Sequence, residues 1–208
     1  MSVLGLLDAD AYADLARVVA LARAADPGAA VRLQAVGGVL RVYVGVLPGR
    51  GLLAEGAAVG ARGVALADPA DLDVAVAAAA LADRFARDPL GPGLAVPAAT
   101  VHAPWVGSLP STSGWAPAGR LDPAELKAVA RAGIAEIAGA TAGPVGQLAV
   151  GSLRERVWGR AVPADPPVPA GTAFAAYVLG LLGQRPVEVS RQGRWVRLAT
   201  GRGHVLGR

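Results

Sequence analysis

Two segments hold most of the residues whose types could do chemistry. The first runs His102-Ala-Pro-Trp-Val-Gly-Ser-Leu-Pro-Ser-Thr-Ser-Gly-Trp115 and brings together an imidazole, several hydroxyls, flexible glycines and two indoles. Such a set suits a hydroxyl nucleophile with His102 as its base. It equally suits a ligand loop in which Ser108, Ser111, Thr112 and Ser113 hydrogen-bond a phosphate, or another polar group, beside Trp105 and Trp115. The segment contains neither a Gly-x-Ser-x-Gly elbow nor a phosphate-loop pattern, and its neighbouring acids do not set up a triad. The structural alternative is a long connector that Trp105 and Trp115 pin to the core, its hydroxyls capping turns.

The second segment is the C-terminal end. Residues 1–100 carry 8 arginines against 10 acids, a balance of −2, whereas residues 101–208 carry 12 cations against 6 acids, a balance of +6. Arg185, Arg191, Arg194, Arg197, Arg202 and Arg208 crowd into the last stretch against Glu188 alone. Trp195 falls on the same strand face as Arg197. Guanidinium groups beside an aromatic ring suit a phosphate backbone and base stacking, so Arg191, Arg194, Trp195, Arg197 and Arg202 form a candidate surface for nucleic acid or a protein partner. The same arginines would also protect a solvated sheet edge.

Composition removes other chemistry. The chain has no cysteine and two histidines, His102 and His204, far apart in sequence. A disulfide framework, a thiol nucleophile and a thiolate zinc site are therefore excluded, and no metal or cofactor is expected. Arginine is frequent, lysine occurs once (Lys127) and asparagine is absent. That skew is the mark of a GC-rich bacterial genome, so the formal net charge of +4 is in large part codon usage. The N-terminal residues have no basic region and meet an acid at once, unlike a signal peptide, and the longest apolar stretches, Val74–Leu81 and Ala173–Leu182, are too short to span a bilayer. These features predict a cytoplasmic protein without membrane attachment.

The elements that must position these residues read as α+β. Hydrophobic residues make up 53% of 208, enough for a substantial core. Tyr12, Leu15, Val19 and Ala22 share one face of a helix over Asp8–Ala25. Val31–Val36 and Val39–Val46 flank Gly37-Gly38 and predict a hairpin, with Val31, Leu33, Ala35, Leu40, Val42 and Val44 on a dry face. Arg32, Gln34, Arg41 and Tyr43 take the wet one. Arg62–Ala67 predicts a third strand, and Asp68-Pro69-Ala70-Asp71 has the capping signature of a helix to about Arg87. Further helices are expected over Asp122–Ala138, Val145–Trp158 and Gly171–Leu182. A closing hairpin turns at Gln192-Gly193, pairing Val187 with Leu198, Val189 with Val196 and Glu188 with Arg197, and Gly203–Leu206 offers another strand.

This pattern divides into a helix-flanked antiparallel sheet over 1–98, a loop over 99–120, and a helical cluster ending in a basic hairpin over 121–208. The C-terminal strands could also return to complete the first sheet as one domain. Three helices followed by a hairpin match the order of a winged helix, but the helix before the hairpin, Thr172–Leu182, carries no basic or amide side chain to read base edges. The helix, the stretch Val31-Arg-Leu-Gln-Ala-Val-Gly-Gly-Val-Leu-Arg-Val42, the following strand and Asp-led helix, and the closing Val187–Leu198 with Thr200-Gly-Arg-Gly-His204 resemble a subdomain of the bacterial DNA sliding clamps. That resemblance covers less than half of the chain, and residues 122–184 depart from it. Scarce catalytic residue types point to a binding or scaffold protein that self-associates, with nucleic acid or protein as partner. The rival reading is a small-molecule binder or enzyme working through His102, Trp105, Ser111, Ser113 and Trp115.

Overall fold

The computed structural model describes residues 2–51, 53–89, 91, 93–143 and 146–208. Strand β1 (Val3–Gly5) leads into helix α1 (Ala9–Ala25). The Asp8 carboxylate accepts from the Ala11 amide at 2.7 Å and so caps the helix. Tyr12, Leu15, Val19 and Ala22 are all buried on its inward face, as their spacing predicts.

The Gly37-Gly38 hairpin is a correction. Strand β2 runs without a turn from Ala30 to Leu47, and pairs antiparallel with a slightly longer β3, Ala58–Ala77. The ladder shifts register between Gly37 and Val39, with Gly37 at φ 56°. A hairpin turn and an irregularity of this kind both invert the inside–outside parity of the chain. The dry face is therefore as expected: Val31, Leu33, Ala35, Leu40, Val42 and Val44 are all buried. What differs is the partner.

The helix over Asp68–Arg87 is likewise corrected. Pro69 falls in the irregularity opposite Gly37–Val39, where a residue without an N–H is tolerated. Leu72, Val74 and Val76 then alternate with Asp71, Asp73 and Ala75 as strand before helix α2 (Ala78–Arg87) begins. Strand β4 (Gly93–Ala95) pairs with β1, and a 3₁₀ turn spans Pro104–Ser108.

Strand β5 (Ala116–Leu121) precedes helices α3 (Pro123–Ala140), α4 (Gln147–Trp158) and α5 (Ala170–Val178). The expected start of α4, Val145, lies outside the described residues. Strands β6 (Val187–Gln192), β7 (Trp195–Thr200) and β8 (Gly203–Gly207) close the chain. The hairpin turn sits one residue later than expected, at Gly193-Arg194, so Val189 faces Leu198 and Ser190 faces Arg197. That corrects the Val187–Leu198, Val189–Val196 and Glu188–Arg197 pairs. A register change of two keeps every side chain on its expected face. Glu188 now faces Ala199, and its ion partner is Arg120 at 3.4 Å.

Among the described residues the main sheet has the order β2-β3-β8-β7-β6-β5, antiparallel throughout. Antiparallel β3–β8 pairing joins the N-terminal strands to the C-terminal ones. The fold is α+β, as the patterning predicts. The inner face packs on the helices through a continuous core that includes Leu33, Val42, Leu126, Phe174 and Leu198. Trp158 stacks on Phe174 with ring centres 4.2 Å apart. A second, smaller core lies on the outer face around Trp105, Tyr43, Val59, Trp195 and Leu206. Among the described residues no helix is long and apolar enough to cross a membrane.

Candidate ligand groove on the outer sheet face

Residues paired across a sheet share a face, so the row Tyr43, Ala61, His204 points outward together, and Arg197 follows beside Leu206. Ala61 and Gly63 of β3 are small. They leave a trough between Arg41 and Tyr43 on one side and His204 and Arg197 on the other. The 110–115 segment closes it with Ser111 and Trp115, enclosing about 240 Å³. Arg62, although its backbone borders the trough, alternates to the inner face and pairs with Asp14 of α1.

The connector is anchored to this face at several points. Trp105 is 1% exposed, and its indole occupies the space that a Cβ on Gly45 would need. Arg32 donates to the Val106 carbonyl at 3.2 Å while its guanidinium grips Asp73 through two bonds of 2.7 and 2.6 Å. That ion pair holds the Asp73 carboxyl below its ordinary range. Further along, Gln192 donates to the Ser113 carbonyl at 2.7 Å and the Trp115 indole to the Ser111 carbonyl at 3.0 Å.

The groove's electrostatics are one-sided. The Arg197 Nε donates to the Ser190 hydroxyl at 3.0 Å, and its guanidinium carbon lies 4.8 Å from the Trp115 ring centre. This placement leaves its terminal nitrogens for a ligand. No carboxylate lines the groove among the described residues. His204 stands at the mouth. Burial of part of the ring, and then the positive charge of Arg197, push its pKa below the ordinary 6.5. The arrangement can bind an anion with a flat group beside it. Ser111 and Ser113 place their hydroxyls 3.4 Å from one another.

The structure brings Ser111, Trp115 and Arg197 together, thereby joining one member of the basic segment to the loop. His102 is exposed and does not line the groove, Ser113 bonds at its edge, and Trp105 is core. The other basic residues diverge. Arg191 turns to the Pro167 carbonyl on the helical side, Arg194 pairs with Glu55 at 3.1 Å, and Arg202 reaches the Gly180 carbonyl at 3.2 Å from the opposite end of the hairpin. Trp195 is buried under Arg208, whose guanidinium lies 5.9 Å from the indole centre. The sequence does not single out Arg41 or Tyr43, and it reads His204 as a surface or satisfied histidine. Their signal was the wet-face alternation of Arg41 and Tyr43, which gains meaning only once β8 is known to lie beyond β3.

A family model described as domain of unknown function DUF8010 matches residues 1–107, and one described as domain of unknown function DUF8185 matches residues 110–208. None of the curated proteins matches. Among solved structures, the chain is similar to the β sliding clamp of C. crescentus at 14% identity and a TM-score of 0.49, over 94% of this chain and 62% of the clamp. The chain thus spans less than two thirds of that protein's length. Because the first model covers more than half of the residues, the chain belongs to the DUF8010 family.

Proposed function

We propose that this protein binds rather than catalyses, and that the outer-face groove holds a phosphate-bearing ligand, single-stranded nucleic acid being the favoured source. One observation carries the reading: Arg197, fixed by Ser190 and stacked on Trp115, faces Arg41 across a trough lined by no carboxylate among the described residues. The enclosed volume is below the roughly 300–1,000 Å³ of a whole-ligand pocket. It fits one phosphate with a base on Trp115 and leaves the remainder of the ligand outside.

Fluorescence titration with a short oligo-dT tests this. Affinity should fall steeply with salt, and Arg197→Ala should weaken it about tenfold, the loss of one charge-assisted contact and a stack. Arg191→Ala, on the other face, should change it far less. Binding that ignores salt, or that ignores Arg197→Ala, overturns the reading. Tight binding of a mononucleotide, with no gain from the oligomer, would favour a small-molecule ligand at the same groove instead.

We further propose that the protein self-associates through the open edge of β2, where Val36 and Val39 are 55% and 44% exposed. A cytoplasmic location is proposed on the absence of cysteine.

A further inference from the structure

The helical side of the sheet carries a second concave site, of about 190 Å³. It lies between α1, the Arg62 side chain of β3, the turn at Gly180 that follows α5, and the turn between β7 and β8. Three arginines line it, Arg17, Arg62 and Arg202, with one acid, Asp14. The Asp14 carboxylate is taken up by Arg62. Three guanidinium charges against one carboxylate leave an excess of two positive charges. No other acid lines the site among the described residues.

Local structure sets this convergence. Asp14, Arg17 and Val18 fall at i, i+3 and i+4 on one face of α1. Val18 is buried, which turns that face toward the protein and places Arg17 on the wall of the site. Gly180, at φ 66°, ends the α5 segment in the left-handed region, where glycine is favoured. Its carbonyl accepts from Arg202 Nη1 at 3.2 Å, and the Arg202 amide is tied to Thr200 Oγ1 at 3.1 Å. Arg17 reaches the same residue from α1: its Nη2 stands 3.5 Å from where a Cβ on Gly180 would lie.

Two guanidinium groups thus reach one glycine. The partial negative charge at the C-terminal end of α5 accounts for Arg202, which bonds a carbonyl there. It does not account for Arg17, whose guanidinium makes neither an ion pair nor a hydrogen bond among the described residues. Like charges gathered in this way repel. A concave site lined by one sign of charge also concentrates counter-ions. Arg17 and Arg202 are both exposed, so an anion can reach them from solvent.

We propose that this site binds a phosphate dianion, either inorganic phosphate or the terminal phosphate of a larger molecule, between the Arg17 and Arg202 guanidinium groups. The planar fork of arginine matches phosphate oxygens, and a doubly charged ligand balances the excess of two. The enclosed volume is below the roughly 300–1,000 Å³ of a whole-ligand pocket, so it admits the phosphate and leaves any remainder in solvent. The site lies on the opposite face of the sheet from the outer groove and stands whether or not that groove binds nucleic acid.

The test uses the full chain at about pH 8, where a phosphate group is doubly charged. Sodium phosphate is the probe, and sodium chloride at equal ionic strength is the control. The Gly180 amide resonance should move along a saturation curve with phosphate and stay still with chloride. Arg17→Ala and Arg202→Ala should each weaken the binding about tenfold, the loss of one charge-assisted contact. Arg197→Ala, on the outer face, should leave the Gly180 curve unchanged, which separates this site from the groove. Methyl phosphate distinguishes the sources: tighter binding than phosphate assigns a larger molecule, equal or weaker binding the free ion, and either supports the site. A Gly180 resonance unmoved by phosphate, a shift reproduced by chloride, or full affinity in a folded Arg17→Ala/Arg202→Ala protein would each overturn the proposal.

Discussion

His204 shows how a single side chain acquires its property from two strands at once. Part of its ring is covered by the outer-face packing and Arg197 stands nearby, so the charged form is disfavoured and the pKa falls below 6.5. The unfolded chain therefore takes up a proton at a higher pH than the folded one. Any stability this histidine confers is complete above about pH 6.5 and lost as pH falls through the lower folded value. Solvent on its exposed side keeps that stability term small, and the sharper readout is its own titration. In proton NMR, His204 should titrate below 6.5, move back toward it in Arg197→Ala, and rise when an anion is bound. By reciprocity, phosphate should bind more tightly as the solution is acidified through that range. A titration unmoved by both Arg197→Ala and phosphate would remove His204 from the groove. None of this was legible in the sequence, where His204 is one residue of a short strand. Trp105 was legible in part: an indole in a Pro/Gly-rich connector must be either a site or an anchor. The steric demand on Gly45 makes it an anchor.

At the scale of elements, alternation predicted which face of each strand would be buried, and it did so even where the connectivity differed. Leu33 and Val42 are both fully buried, although they lie on one long strand and not on two strands of a hairpin. Local pattern encodes the face, whereas the partner is a long-range choice, here decided by the second alternating run Asp71–Val76. Asp68-Pro69 misled for a related reason. Proline is welcome both at a helix start and at a break in a ladder, because each position lacks a hydrogen bond to donate. By contrast, the helices led by Asp8 and Asp122 start where expected, each carboxylate accepting from an amide two or three residues on, since capping is settled within three residues. The 18-residue β2 occupies an edge of the main sheet, and long edges with apolar side chains are prone to pair. Sedimentation at rising concentration should therefore show a reversible dimer. Val36→Lys with Val39→Lys should return it to monomer, since like charges would face each other across a two-fold edge. A monomer at every concentration would rule this interface out.

The whole molecule turns on where the two family matches meet in space. Residues 1–107 supply β2, β3 and α1, and residues 110–208 supply β5 to β8 with α3 to α5. Buried residues of both sets belong to one continuous core cluster. Strand β3 has its second neighbour in β8, and helix α5 from the C-terminal half covers both strands from the inner side. Gly207 marks the seam. A Cβ there would run into the Cγ2 of Thr172, which is itself buried and fixed by its hydroxyl bond to the Pro169 carbonyl at 2.6 Å. Turning the Cγ2 away by a change of χ1 would move the hydroxyl off that carbonyl. Gly207→Ala should therefore lift the start of α5 from the end of β8, at a cost of about 1–3 kcal/mol. The form of the loss discriminates between architectures. If one core serves both halves, urea unfolding followed by far-ultraviolet circular dichroism and by tryptophan fluorescence should give coincident transitions. Both should shift to lower urea in Gly207→Ala with an unchanged slope. All four tryptophans, Trp105, Trp115, Trp158 and Trp195, lie outside 1–98, whereas dichroism reports on both halves, so two independent domains over 1–98 and 121–208 would separate the two curves. In that case only the C-terminal phase would move.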